Sequence, residues 1–132
     1  MANEATLVFE THVPIPFTVA NGTGIEKGAS LTLSDPMTAA TLTASGAAFA
    51  GFAAEEKIAS DGRTRMATYR GGIFKVTASG AVTVGEAVTA DTANKFVRAA
   101  VNNEHLAGIA LETAADGETF LMELRPTHVN LA

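Results

Sequence analysis

The stretch "GIFKVTASGAVTVGEAVTAD", Gly72 to Asp91, decides the fold. Its opening "GIFKVTA" (Gly72–Ala78) and the run "AVTVGEAVTAD" (Ala81–Asp91) are rich in Val, Thr, Ile and Phe, which suit a pleated, half-buried surface. Between them "TASGAV" carries Ser-Gly, a dipeptide of tight turns that need positive φ. Two strands joined by a turn are the expectation. The same grammar recurs outward along the chain. "ASLTLSD" (Ala29–Asp35) and "ETFLMELRP" (Glu118–Pro126) read as strands, and "ASDGRT" and "AADGET" as Asp-Gly turns. Alanine in Met37–Ala48 leaves room for a short helix, although its threonines oppose one. The expectation is an all-β domain of short strands.

The chain also repeats. A shift of 57 residues brings Phe17 onto Phe74, Val19 onto Val76, Gly28 onto Gly85 and Thr32 onto Thr89. The same shift sets "FAGFAAE" (Phe49–Glu55) on "LAGIALE" (Leu106–Glu112). Each half reads as one β unit unable to close its own core, so two would wrap into one barrel or sandwich. Closure removes exposed strand edges that invite aggregation. The expected organisation is a barrel domain over residues 17–132, with pseudo-repeats 17–71 and 74–125, preceded by an arm of residues 1–16.

The arm carries a contradiction. In "THVPIPFTV" (Thr11–Val19) and the residues before it, the odd positions Leu7, Phe9, Val13, Ile15 and Phe17 are apolar, a strand signal. Pro14 and Pro16 cannot donate to a sheet ladder, so a central strand is not expected there. Prolines pre-set an extended backbone and lower the entropy lost on docking. The arm residues Leu7, Phe9, Val13, Pro14, Ile15 and Pro16 are therefore candidates for binding a neighbouring surface. The alternative is an edge strand folded onto its own barrel.

Composition restricts function. Of 132 residues 47% are apolar and 17% charged, which supports a folded core. There is no cysteine, so neither disulfides nor thiol chemistry contribute. The net charge of −5 makes nucleic acid a poor partner. "MANEATLVFE" lacks the basic start of a signal peptide, and "GAAFAGFAA" is too short to span a membrane, so a soluble, unexported protein is expected. His12, His105 and His128 have no second ligand at metal-site spacing. Glu55, Glu56, Glu112, Asp61 and Asp116 are explained by repeat and turn positions before catalysis. Arg63, Arg65 and Arg70 would form a basic patch if alternate residues share a face. No glycine run forms a phosphate-binding loop, and Lys27, Lys57, Lys75 and Lys95 lack the context of a lipoyl or biotinyl lysine. No catalytic residue, cofactor or metal is expected.

The second half, "GGIFKVTASGAVTVGEAV…LAGIALETAADGETFLMEL", resembles the capsid decoration or cement proteins of tailed bacteriophages, over roughly residues 72–125. The pattern is an aromatic-x-Val strand, Ala-Ser-Gly-Ala-Val, Gly-x-x-Val, Gly-x-Ala-x-Glu, and Asp-Gly-Glu-Thr before a last strand ending in Leu-Arg. The resemblance implies a compact β-barrel or β-tulip, often trimeric, on the outer surface of the expanded head. It implies the major capsid protein as partner, the host cytoplasm before assembly, and no enzymatic activity. Another virion β-module, such as a head-fibre base or tail-associated domain, is the alternative; a small host binding or carrier domain is a third.

Overall fold

The computed structural model describes residues 2–100 and 105–128, with only the backbone of residue 128. Eleven strands follow one another: β1 (Thr6–Phe9), β2 (Ile15–Thr18), β3 (Ser30–Asp35), β4 (Thr38–Thr41), β5 (Phe49–Ala53), β6 (Arg65–Tyr69), β7 (Gly72–Ala78), β8 (Ala87–Ala90), β9 (Lys95–Arg98), β10 (His105–Ala110) and β11 (Thr119–His128). A single 3₁₀ turn, Thr92–Asn94, is the only helical element among the described residues. The alanine-rich stretch forms strand β4 and loops, since its threonines favour extended backbone.

The chain is all-β and built on barrels, as its sequence indicates, and closure happens within each half. Strands β2-β4-β3-β5-β6 form one closed ring. Strands β7-β11-β10-β8-β9 form a second, closed by the parallel β7–β9 pair. The pairings correspond one for one: β2–β4 and β7–β9 are parallel, and every other neighbour is antiparallel. Individual bonds recur at the 57-residue offset. Ile25 and Lys57 exchange backbone hydrogen bonds, as do Val82 and Ala114. The Thr32 hydroxyl donates to Ala48 O at 2.6 Å and the Thr89 hydroxyl to His105 O at 2.6 Å.

A five-stranded ring of short strands has little interior, and the alanines at Ala29, Ala39, Ala50 and Ala53 keep the first ring's core small around Phe17, Leu31 and Met66. The larger core lies in the second ring and extends across the seam. Strand β5 is buried on both sides. Its Ala50 and Ala53 face their own ring, while Phe49 and Phe52 join the second ring's cluster with Phe74, Phe96 and Phe120. The halves are thus closed separately and packed through shared phenylalanines.

Asn94 fastens the seam with hydrogen bonds. Its side-chain oxygen accepts from the Ser30 amide at 2.6 Å, and its amide donates to Gly28 O at 3.0 Å and to Asn3 O at 2.9 Å. Asn94 sits at φ 60°, a region asparagine tolerates better than alanine. Asn94→Ala strands the buried Ser30 amide and adds backbone strain. We expect it to lower unfolding free energy by about 2–3 kcal/mol in urea titration; a loss below about 0.5 kcal/mol would mean the seam is held by apolar packing alone.

Candidate functional site

The N-terminal segment runs along both barrels. β1 pairs antiparallel with β7, with Leu7 opposite Phe74 and Phe9 opposite Ile73, and forms the outer edge of its sheet. Leu7 is half-buried and packs against the second ring's core. The chain then crosses to the first ring, where β2 pairs with β6 from Ile15 to Thr18. Pro16 is accommodated because the other edge of β2 is paired only at Thr18, opposite Thr38. Pro14 is half-buried and Pro16 exposed.

Between these pairings the segment presents apolar side chains to solvent. Phe9 is 61% exposed and Val13 74%, with Val8 and Ile15 also exposed. Val8 and Phe9 are adjacent exposed apolar residues, with Val13 and Ile15 farther along the same segment. The exposed His12 ring lies over Gly71, and a Cβ there would meet it unless the ring turned aside.

Four of the five carboxylate candidates accept from backbone amides. Glu55 accepts from the Ala67 amide at 2.9 Å and pairs with Arg63 at 2.7 Å. Its repeat counterpart Glu112 accepts from the Leu121 amide at 3.0 Å. Asp61 and Asp116 cap turns through the Arg63 and Gly80 amides. His105 opens strand β10 opposite His128. The three arginines do not form one patch: Arg63 pairs with Glu55, while Arg70 turns inward and donates to Phe49 O and Ala50 O. Among the described residues no group of three or more His, Cys, Asp or Glu side chains is placed to hold a metal.

One buried ionic group is invisible in the sequence. The Lys57 ammonium donates to Asn21 O at 2.7 Å, Thr23 O at 3.2 Å and Ile58 O at 3.3 Å, and lies 3.3 Å from Asp61. Its counterpart Ala114 performs no such role, so Lys57 locks the loops at one end of the first barrel only. The only hint was a lysine where the repeat has alanine.

Hydrogen bonding sets the acid response. The Ala67 amide holds Glu55 below the usual carboxylate range, against burial and with help from Arg63. Burial alone would raise Asp91, but the Ser79 hydroxyl, the Thr92 amide and Ser45 outweigh it and keep it low. A folded-state value below the unfolded one gives stability that is complete above the unfolded value and lost as pH falls through the folded one. Stability should therefore be flat near neutrality and fall below roughly pH 4. Urea midpoints of Glu55→Gln and Asp91→Asn should vary less with acid than those of the wild type; equal slopes would remove these two groups as the cause.

Cavities open to solvent among the described residues include the following pair. A groove of about 540 Å³ lies between the N-terminal segment and the first barrel, bordered by Leu7, Lys27, Glu56, Tyr69 and Phe74. A smaller one of about 210 Å³ adjoins Asn3, Leu42 and Asn94. Neither is lined by His105.

A solved structure of the head fibre gp8.5 N base in bacteriophage phi29 has a similar fold, with a TM-score of 0.59 and 16% identity over 89% of this chain and 98% of that one. No curated protein matches the sequence significantly. The family model described as phage cement protein matches residues 10–125, which takes in β2 to β10, most of β11, and Val13 and Ile15 of the exposed segment, but not β1 or Phe9. The chain belongs to the phage cement protein family.

Proposed function

We propose that this protein decorates the outer surface of the expanded phage head as a homotrimer at local threefold positions of the major capsid protein, and holds the shell in that state. The observation that carries the reading is the family match across both barrels. A protein that binds the expanded shell and not its precursor stabilises it by RT ln(1 + [L]/Kd), about 2.7 kcal/mol per site at a hundredfold excess. Trivalent attachment lets modest contacts suffice. No catalysis and no cofactor enter this mechanism. The net acidic chain favours solubility in the host cytoplasm before assembly.

The shell contact in this reading is the exposed crossing segment: Phe9, Val13 and Ile15, oriented by Pro14 and Pro16. Leu7 anchors the segment to the barrel. Deleting the arm would also remove β1, so exposed point changes are the cleaner test. Phe9→Ser with Val13→Ser should leave the melting temperature unchanged and weaken binding to heads purified without the protein. Undiminished binding would sink the arm as the contact. Failure of the wild-type protein to bind such heads, or to raise the temperature at which they disrupt, would sink the decoration reading.

The head fibre base of similar fold favours one other reading, a base carrying a longer projection. Copy number per particle separates the two. Decoration predicts copies comparable with the major coat protein; a fibre base predicts far fewer.

A further inference from the structure

The two barrels meet through a directional joint. The β8–β9 connection, Asp91–Asn94, seats in the corner of the first barrel at Gly28–Ser30, where Asn94 bonds to Gly28 and Ser30. The 57-residue offset defines a second tip and a second corner. The end of β3 and its turn into β4, Ser34–Met37, corresponds to the tip, and Gly85–Ala87 to the corner. The backbone repeats at two positions, with φ 49° at Met37 and 60° at Asn94, and 85° at Gly28 and 90° at Gly85; it differs at the residue before the tip's end, where Ala93 at φ 59° corresponds to Pro36.

The second tip is exposed, and the second corner is exposed at Gly85 and half-buried at Glu86 and Ala87. Met37 is 55% exposed and Val84, at the corner, 56%. Among the described residues, no hairpin of the first barrel hydrogen-bonds to Gly85–Ala87. Chemistry has changed in step at the two positions. Asn94 of the occupied tip corresponds to Met37, and Lys27 beside the occupied corner corresponds to Val84. Leu33 near the tip and Leu111 beyond β10 are exposed too, so each side has two apolar residues. A polar joint used within the chain is matched by an apolar pair left open.

We infer that a second copy of this chain occupies the open corner: the Ser34–Met37 tip of one subunit seats at Gly85–Ala87 of the next. The joint made inside each chain by Asn94 is thereby repeated between chains by Met37 and Val84. Such a contact is heterologous and closes into a ring when its rotation allows. It deepens the trimer of the proposed function and rests on that part of it. Three copies then give a ring of six barrels, with polar joints inside chains alternating with apolar joints between them.

The chain contains no cysteine, which gives a clean background for cross-linking. Met37→Cys and Val84→Cys proteins, mixed at high concentration and treated with a short bis-maleimide, should join one of each. The double variant should give covalent trimers. In sedimentation, Met37→Arg should weaken self-association at least about tenfold. Ile58→Arg, at an exposed apolar residue outside the joint, should leave it unchanged, and both should melt like the wild type. Absence of the 37–84 cross-link, a monomeric wild type across the concentration range, or undiminished association of Met37→Arg would overturn the joint. These measurements use free protein, so they are independent of head binding, whose failure would strike the decoration reading instead.

Discussion

Phe52→Ala should lower the unfolding free energy by about 3–5 kcal/mol, a large part of the stability of a domain this size. The ring is fully buried and touches three others: Phe74 at 4.7 Å between centroids, and Phe49 and Phe96 at 5.5 Å each in edge-on geometry. Its removal loses apolar burial, leaves a cavity at the seam, and breaks aromatic pairs worth about 0.5–1.5 kcal/mol each beyond area. Collapse around the cavity is opposed from both sides, because the neighbouring rings belong to closed barrels. The melting temperature should fall by about 10–25 °C. The same packing predicts that the wild type unfolds in one transition, because neither barrel keeps its outer face covered alone. A loss below about 1 kcal/mol, or two separate wild-type transitions, would mean that the barrels are energetically independent.

How much of this was legible in the sequence depends on which physics wrote each residue. Turns were legible because positive φ demands glycine or a short polar residue: Gly28, Gly85 and Gly117 sit at such positions. Strand β7 was legible to the residue, since its buried Phe74, Val76 and Ala78 alternate across one face. Strand β5 shows where periodicity fails. With both faces buried, Ala50 and Phe52 are equally apolar, and nothing in "FAGFA" says which faces its own ring. The sequence therefore suggested two halves sharing one closure, while small interior alanines allow each half to close alone. Asn94 and Lys57 were missed for a different reason. Their roles come from carbonyls and amides brought together by the fold, such as Gly28 and Ser30 some 64 to 66 residues from Asn94. The exposed arm was legible as apolar and proline-marked, but its split between barrels was not. β1 belongs to the second barrel's sheet and β2 to the first, a crossing that local alternation does not encode.

Gly51→Ala and Gly108→Ala test the repeat where it is most tightly built. These glycines stand 57 residues apart on β5 and β10. An added Cβ would press onto the Tyr69 carbonyl oxygen at Gly51 and onto the Glu123 carbonyl oxygen at Gly108. Both obstacles are backbone of the neighbouring strand, β6's Tyr69 and β11's Glu123, which cannot rotate away as a side chain would. Forcing the atom in must push apart a strand pair inside a closed ring, where displacement of one strand strains its neighbours around the circle. Overpacking of this kind costs about 1–3 kcal/mol. Gly51 carries a second penalty, a φ of 132° that L-residues rarely adopt, worth about 1–3 kcal/mol more. The expected order in urea unfolding is Gly51→Ala worst, Gly108→Ala next, and Gly22→Ala near neutral, because a Cβ at Gly22 meets nothing within 4 Å. Gly62→Ala isolates the conformational part, with open space but a φ of 87°, and should cost about 1 kcal/mol. If Gly51→Ala and Gly108→Ala were no worse than Gly62→Ala, close approach of strands would not be what these glycines serve, and their equal spacing from Gly28 and Gly85 would need another cause.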